Sequence, residues 1–311
     1  MLSVIYALIP VFLIILLGML LKRSLLFNDE SWAGFENLCY FILFPALLVK
    51  TLATAEIGTA QILLYSGMVL FAIFIMSGVM LMLHPLLRRR FGVSPASFTS
   101  LFQGATRWHG FVALSIVGLL FGDEGVAYMA ITMAVIIPPL NIINVSVLAS
   151  LSHGDNRLRD VIYRILLNPF IIACFVGATL NLSGVGLPNP IYSVFNIIGG
   201  GALGLGLLTV GAGLRFRLVL DHSYLVSFGS AMRLLGMPLL MFTGAWIFGI
   251  EGMPRTVAII AAAVPTASSS YILARQMGGD HDLMANLISV QVLAATLTLP
   301  AMIWLAQTSP N

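Results

Sequence analysis

The sequence predicts an all-α polytopic membrane protein of ten transmembrane helices, arranged as two inverted five-helix repeats. Three observations carry that expectation. Hydrophobic residues fill 59% of the 311 positions and charged residues only 9%, against roughly 45–50% and about 25% in a soluble domain. The apolar residues fall in repeated runs of about twenty, long enough to cross ~30 Å of hydrocarbon at about 1.5 Å per residue. A shift of 159–161 residues brings matching features of the two halves of the chain into register.

Apolar length set against polar breaks places the spans near 2–21, 32–52, 59–83, 98–121, 125–150, 161–181, 190–213, 223–249, 256–276 and 283–306. The first run has no Lys or Arg before it, so it reads as a retained span and not as a secretory signal. Cys39 and Cys174 both lie inside apolar runs. They read as small buried hydrophobes, and neither a disulfide framework, a metal site nor a cofactor is expected.

Net charge is +3, and its placement is more informative than its sum. Loops after the odd-numbered spans hold Lys22, Arg23, Arg88, Arg89, Arg90, Arg157, Arg159, Arg164, Arg215, Arg217 and Arg275, against only Lys50 and Arg255 in the loops after the even-numbered spans. Basic residues mark cytoplasmic loops, so the odd loops are expected inside and, with an even span count, both termini outside.

In the repeat register Pro10 and Gly18 fall on Pro169 and Gly177, Asn37 on Asn196, and Pro139 on Pro300. Together these matches divide the chain into a first repeat over 1–150, a cytoplasmic connector over 151–160 and a second, inverted repeat over 161–311.

The fourth and ninth spans hold equivalent places in the halves, and both carry polar runs at membrane depth. In the fourth the run is Gln103-Gly104-Ala105-Thr106-Arg107-Trp108-His109-Gly110, and in the ninth Pro265-Thr266-Ala267-Ser268-Ser269-Ser270. Pro265 removes a helix hydrogen bond, and hydroxyl side chains can satisfy the freed backbone. If both helices open and cross there, two half-helix N-termini present unpaired N–H groups, which suits an anion. The alternative is that the Gly and Ser residues only let helices pack closely.

Arg107 and Arg233 lie about ten and eleven residues into their spans, ~15 Å from the cytoplasmic end, beyond easy snorkelling. The acidic residues Asp29, Glu30, Glu36, Glu56, Asp123, Glu124, Asp155, Asp160, Asp221, Glu251, Asp280 and Asp282 all fall in loops or close to span ends. Buried cations without buried carboxylates imply that the substrate brings the anion. The competing reading has each arginine bonded to carbonyls of a broken helix. His109 is a candidate proton carrier, since imidazole titrates near neutrality. Thr106, Arg107, His109, Asn141, Pro265, Thr266, Ser268, Ser269, Ser270 and Gln291 form the candidate binding set, and Asn37, Asn144 and Asn196 are further polar residues within spans.

The opening Ile-Pro-Val-Phe-Leu-Ile-Ile-Leu-Leu-Gly, the Asn37 to Pro45 stretch and the Arg107-Trp108-His109-Gly110-Phe111-Val112-Ala113-Leu114 segment resemble the auxin efflux carrier family of permeases over essentially the whole chain. The chain looks like a compact bacterial member, which implies the bacterial inner membrane. The resemblance implies a fold shared with bile-acid sodium symporters, crossed fourth and ninth helices, and elevator-type alternating access. It also implies carboxylate cargo, either auxin-like monocarboxylates or small dicarboxylates such as malonate or malate. Members often carry Asn at the position of His109, and a proline where this chain has Ala113-Leu114-Ser115.

The expected function is therefore secondary transport of a small organic anion. Its partners would be that anion and the lipid bilayer, with no nucleic acid and with a homodimer as a candidate assembly. A sodium-coupled symporter is the nearest alternative, and uniport or proton coupling through His109 is also open. A passive channel is a further class. A membrane-embedded hydrolase would need a Ser–His, paired-Asp or His-Glu-x-x-His constellation, and only Ser268 to Ser270 beside His109 approaches one.

Overall fold

The computed structural model describes residues 2–24, 26–56, 58–151, 163, 166–214 and 223–308. Arg157, Arg159, Arg164, Arg215, Arg217, Asp155, Asp160, Asp221 and nearly all of the 151–160 connector lie outside them. Among the described residues the chain is helical throughout, with no strand. Among the described residues six stretches are long and apolar enough to cross a membrane: Asp29–Ala53, Ala60–Phe91, Pro95–Leu151, Asn189–Ala212, Ser223–Phe248 and His281–Thr308. Two shorter apolar helices are Pro169–Leu182 and Gly252–Ala263. The protein is thus a multi-pass membrane protein.

Helix α1 spans Leu2–Arg23. Helices α2 (Asp29–Leu38) and α3 (Phe44–Ala53) are joined by a π-helical turn, Cys39–Leu43. Helix α4 (Thr59–Phe91) ends at Gly92 with φ 64°, a left-handed cap. Helix α5 (Pro95–Thr106) stops inside the apolar stretch, and α6 (Gly110–Leu151) resumes after three non-helical residues. Gly122 bends α6 with φ 59° and ψ −149°, a conformation essentially restricted to glycine. Then follow α7 (Pro169–Leu182), α8 (Asn189–Gly200), α9 (Ala202–Ala212) and α10 (Ser223–Ala231). A second π-helical turn, Met232–Gly236, leads into α11 (Met237–Phe248). The chain closes with α12 (Gly252–Ala263), α13 (Ser269–Gln276) and α14 (His281–Thr308).

Hydrocarbon outside the protein is as apolar as the side chains inside it, so helices associate by close packing more than by hydrophobic burial. Helix α1 packs on α9 and α3 packs on α7. A Cβ added at Gly18 would lie 2.1 Å from the Leu208 carbonyl oxygen, and one at Gly211 1.9 Å from that of Ile15. A Cβ at Gly177 would come within 3.0 Å of the Val49 carbonyl oxygen. Only glycine lets these backbones meet.

Lys50 is not a loop residue, as its place in the charge count implied. It sits in the last turn of α3, with its side chain only 7% exposed. Its Nζ donates to Asp123 Oδ2 at 2.9 Å, to Oδ1 at 3.0 Å and to Asn196 Oδ1 at 3.3 Å. The Gly122 bend brings Asp123 to this pair. Asp123→Asn is expected to cost about 2 kcal/mol, below the 3–5 of a sealed pair because the aspartate is 58% exposed. The Lys50→Met/Asp123→Asn double variant should regain most of the loss. Thermal denaturation in detergent measures both.

Candidate functional site

Both polar runs break their helices, and the breaks touch. Helix α5 ends with Arg107 at φ −75°, ψ 154°, and α12 ends with Val264 at φ −71°, ψ 152°. Each terminal N–H still bonds four residues back, to Gln103 O and Ile260 O. The next carbonyls along each helix lose their helical donors, and side chains from distant segments replace them.

In the ninth-span region the missing donor is chemical. Ala261 O would accept from the N–H of residue 265, which proline lacks. Arg233 supplies the substitute: its Nη2 donates to Ala261 O at 2.8 Å and its Nε to Val264 O at 2.8 Å. Arg233 is 1% exposed, projects from the π-helical turn and puts its charge at the negative end of α12. Of the two readings open for this residue, the structure selects the bonding of broken-helix carbonyls.

In the fourth-span region no proline is needed. Gly104 O, which a continuous helix would pair with Trp108, instead accepts from Thr266 Oγ1 at 2.7 Å and Gln291 Nε2 at 3.0 Å. Gln291 Oε1 accepts from the Thr266 N–H at 2.8 Å, so one amide from α14 clamps both breaks. The break therefore forms with Ala113-Leu114-Ser115, and no proline, following the Gly110-Phe111 helix start.

Below the crossing lies a cavity of about 740 Å³. Arg107, His109, Asn141, Ser268 and Ser269 of the candidate set line it. Thr106, Pro265, Thr266, Ser270 and Gln291 do not. Thr266 and Gln291 are committed to the crossing, Thr106 bonds Phe102 O and Asn144 Oδ1, and Pro265 and Ser270 are buried. Asn37 faces the cavity, whereas its repeat counterpart Asn196 holds Lys50.

Arg107 makes no ion pair and no side-chain hydrogen bond among the described residues. Both half-helix N-termini line the same space, through Gly110 and Phe111 of α6 and Ser269 of α13. In the first turn of α13 the Ser270 and Tyr271 N–H groups bond the Ala267 and Ser268 carbonyls, and the Ser268 side chain does not cap the helix, so this end contributes mainly through its dipole. Positive potential from three sources thus converges on one cavity.

Among the polar lining residues, Glu36, Tyr40, Asn168 and Gln276 were not in the candidate set. Asn168 caps α7 through Oδ1, at 2.9 Å from Phe170 N, and its Nδ2 donates to the Tyr40 hydroxyl at 3.2 Å. That leaves the Tyr40 proton free to donate into the cavity. The Asn-Pro-Phe sequence signalled the helix start at 168, but nothing local to it announced the cavity. Phe111, stacked on Phe44 at 4.5 Å, and Phe170 supply apolar wall. A convergent polar end against aromatic wall is the construction of a small-molecule site.

A multi-pass helical protein whose broken helices meet at such a polar cleft has the build of a membrane transporter. The chain belongs to the family described as "Membrane transport protein", the auxin efflux carrier family, which it matches over residues 3–303. It is 22% identical over 297 residues to a protein of Methanothermobacter thermautotrophicus described as "Uncharacterized transporter", covering 94% of this chain and 95% of that one. It is also 22% identical over 312 residues to a Rhizobium meliloti protein described as "Putative malonate transporter", covering 96% and 94%. The family is one of transporters and not of enzymes, and its members take small-molecule substrates in a lipid environment.

Proposed function

We infer that this chain is a secondary carrier of small organic anions in the bacterial inner membrane, working by elevator-type alternating access. It binds the substrate carboxylate at the crossing of the fourth and ninth spans. The observation that carries this reading is the Arg107 guanidinium, unpaired among the described residues, in one cavity with the N-terminal ends of α6 and α13. A buried cation needs a counter-charge, and a carboxylate accepts from a guanidinium and backbone N–H groups together. The malonate named for the Rhizobium meliloti relative is a carboxylate of this kind. Auxin-like monocarboxylates fit the same polar end.

Ten spans in two inverted halves, 1–150 and 161–311, with both termini outside, complete the proposal. The packing supports the repeat. Gly18 meets Leu208 and Gly177 meets Val49; a shift of 159 carries residue 18 to 177 and residue 49 to 208. Each half thus contributes the same glycine contact with the roles exchanged. The two breaks also end on closely matching backbone angles after helices of 12 residues each.

The test is uptake of labelled organic acids into proteoliposomes. Saturable uptake is expected, and Arg107→Ala should lower it about 10- to 100-fold, the worth of roughly 1.5–3 kcal/mol for a charged hydrogen bond. Undiminished uptake by that variant would overturn the site. Repeating the assay with a sodium gradient and with a proton uncoupler identifies the coupling, and His109→Gln should abolish any uncoupler sensitivity if that imidazole carries the proton.

A further inference from the structure

The helices sort into two groups by how closely they pack. Helix α1 lies on α9, and α3 on α7 and α8, with backbones brought together at Gly18, Gly177, Gly199 and Gly211. Helix α4 lies on α11, and α12 on α6 and α14. Contact between the groups runs mainly through α6, against α9, α3 and α7, and side chains make it. Phe111 stacks on Phe44, Ser115 Oγ donates to Leu203 O at 3.1 Å, and Lys50 Nζ donates to Asp123 Oδ2 at 2.9 Å. The first group is thus fastened by close backbone contacts, whereas the two groups are joined by bonds that can break singly.

The cavity lies between the groups, with α2, the π-helical turn and α7 on one side and α6 and α13 on the other. Lys50 and Asp123 sit at its far end. Lys50 follows the cavity residue Phe41 by nine positions and Asp123 follows Phe111 by twelve, roughly 13–18 Å along their helices at about 1.5 Å per residue. Glu36, Asn37 and Gln276 are exposed at the cavity end, whereas Leu48, Val126, Ala127 and Met129 beside the ion pair are buried. The space between the groups is therefore open at one end and packed shut at the other, where the ion pair lies.

Two features let this pair part. Asp123 is more than half exposed, so water takes up its charge. Lys50 keeps partners within its own group, Asn196 Oδ1 at 3.3 Å and the Tyr192 ring, whose centroid is 5.9 Å from Nζ. Neither charge is left without a partner when the bond between them breaks.

We propose that Lys50 and Asp123 form a gate, which holds the far end shut in this conformation and opens each time the cavity turns to that side. This rests on the alternating-access reading above.

The first test joins the two positions. Lys50→Cys/Asp123→Cys, with Cys39→Ala and Cys174→Ala, is bridged by a short bifunctional thiol reagent that a reductant cleaves. Bridging should lower uptake of labelled organic acid into proteoliposomes at least 10-fold, and reduction should restore it. The bridged protein should keep its thermal shift with organic acids, because the open end is unchanged. Undiminished uptake after bridging overturns the gate, and so does a loss of binding together with uptake, which would make the pair a structural support of the cavity. The second test needs no cysteine at either position. Ile137→Cys, in the cavity wall and in the same cysteine-free background, is labelled by an impermeant maleimide in intact cells and in inverted vesicles. Lys50→Met/Asp123→Asn removes both charges together and should shift the ratio of labelling from the two faces at least 5-fold toward the far end. An unchanged ratio overturns the proposal. The carrier reading is judged separately, since a wild type that takes up no organic acid sinks that reading while the labelling ratio still decides the gate.

Discussion

Replacing Arg233 with methionine is expected to destabilise the protein by about 3–5 kcal/mol, at roughly 1.5–3 kcal/mol for each charge-assisted bond to a buried carbonyl. Methionine fills much of the arginine's volume, so the loss reflects hydrogen bonding and not a void. Ala261 O has no backbone substitute, because Pro265 carries no N–H. Val264 O loses its partner at the same time. Arg233→Lys should recover part of the stability, since an ammonium is a point donor that cannot reproduce the planar fork bridging both carbonyls. Thermal denaturation in detergent, with and without bound organic acid, measures all three proteins. An unchanged midpoint in Arg233→Met would mean that the ninth-span break is held by other donors.

Gln291→Leu should cost about 2–4 kcal/mol. It strands the buried Thr266 N–H, at roughly 1–3 kcal/mol, and removes one of two donors from Gly104 O. Thr266→Val removes the other donor, because the hydroxyl reaches the same oxygen at 2.7 Å. Each single variant leaves Gly104 O one partner, whereas the double variant leaves it none. The double variant should therefore lose about 1 kcal/mol more than the sum of the singles. Strict additivity would show that Gly104 O finds another donor and that the two breaks are not joined through it. Substrate affinity should fall alongside stability, because the clamp sets the positions of the α6 and α13 N-termini that line the cavity.

Much of the architecture was legible without coordinates. A chain with so few charges has no solvent but the bilayer, and in the bilayer every backbone polar group must be paired within the protein. Polar runs around Arg107 and Pro265 therefore announced open backbone that needed local satisfaction, and both helices do open there. Side-chain duty was much less legible. Thr266 and Gln291 have the same hydrogen-bonding chemistry whether they hold a ligand or a carbonyl, and their partner Gly104 lies 162 and 187 residues away in sequence. Glu36 read as a span-end carboxylate because helix position gives depth along the chain but not which neighbour the face meets. Lys50 read as a loop cation for the same reason, and its pairing with Asp123 depends on the bend at Gly122.

Composition and the spacing of apolar runs were enough to assign a membrane-spanning helical chain, and the unpartnered N–H of a helix beginning is a local property that any sequence with a break in mid-span must carry. Which of the two deep arginines stays free was settled by packing alone. Arg233 lies beside α12 and its charge is consumed by carbonyls there, while Arg107 points into open space. Two guanidiniums of identical chemistry differ in role because hydrogen bonds saturate, and only the approach of distant helices decides whose donors are already taken.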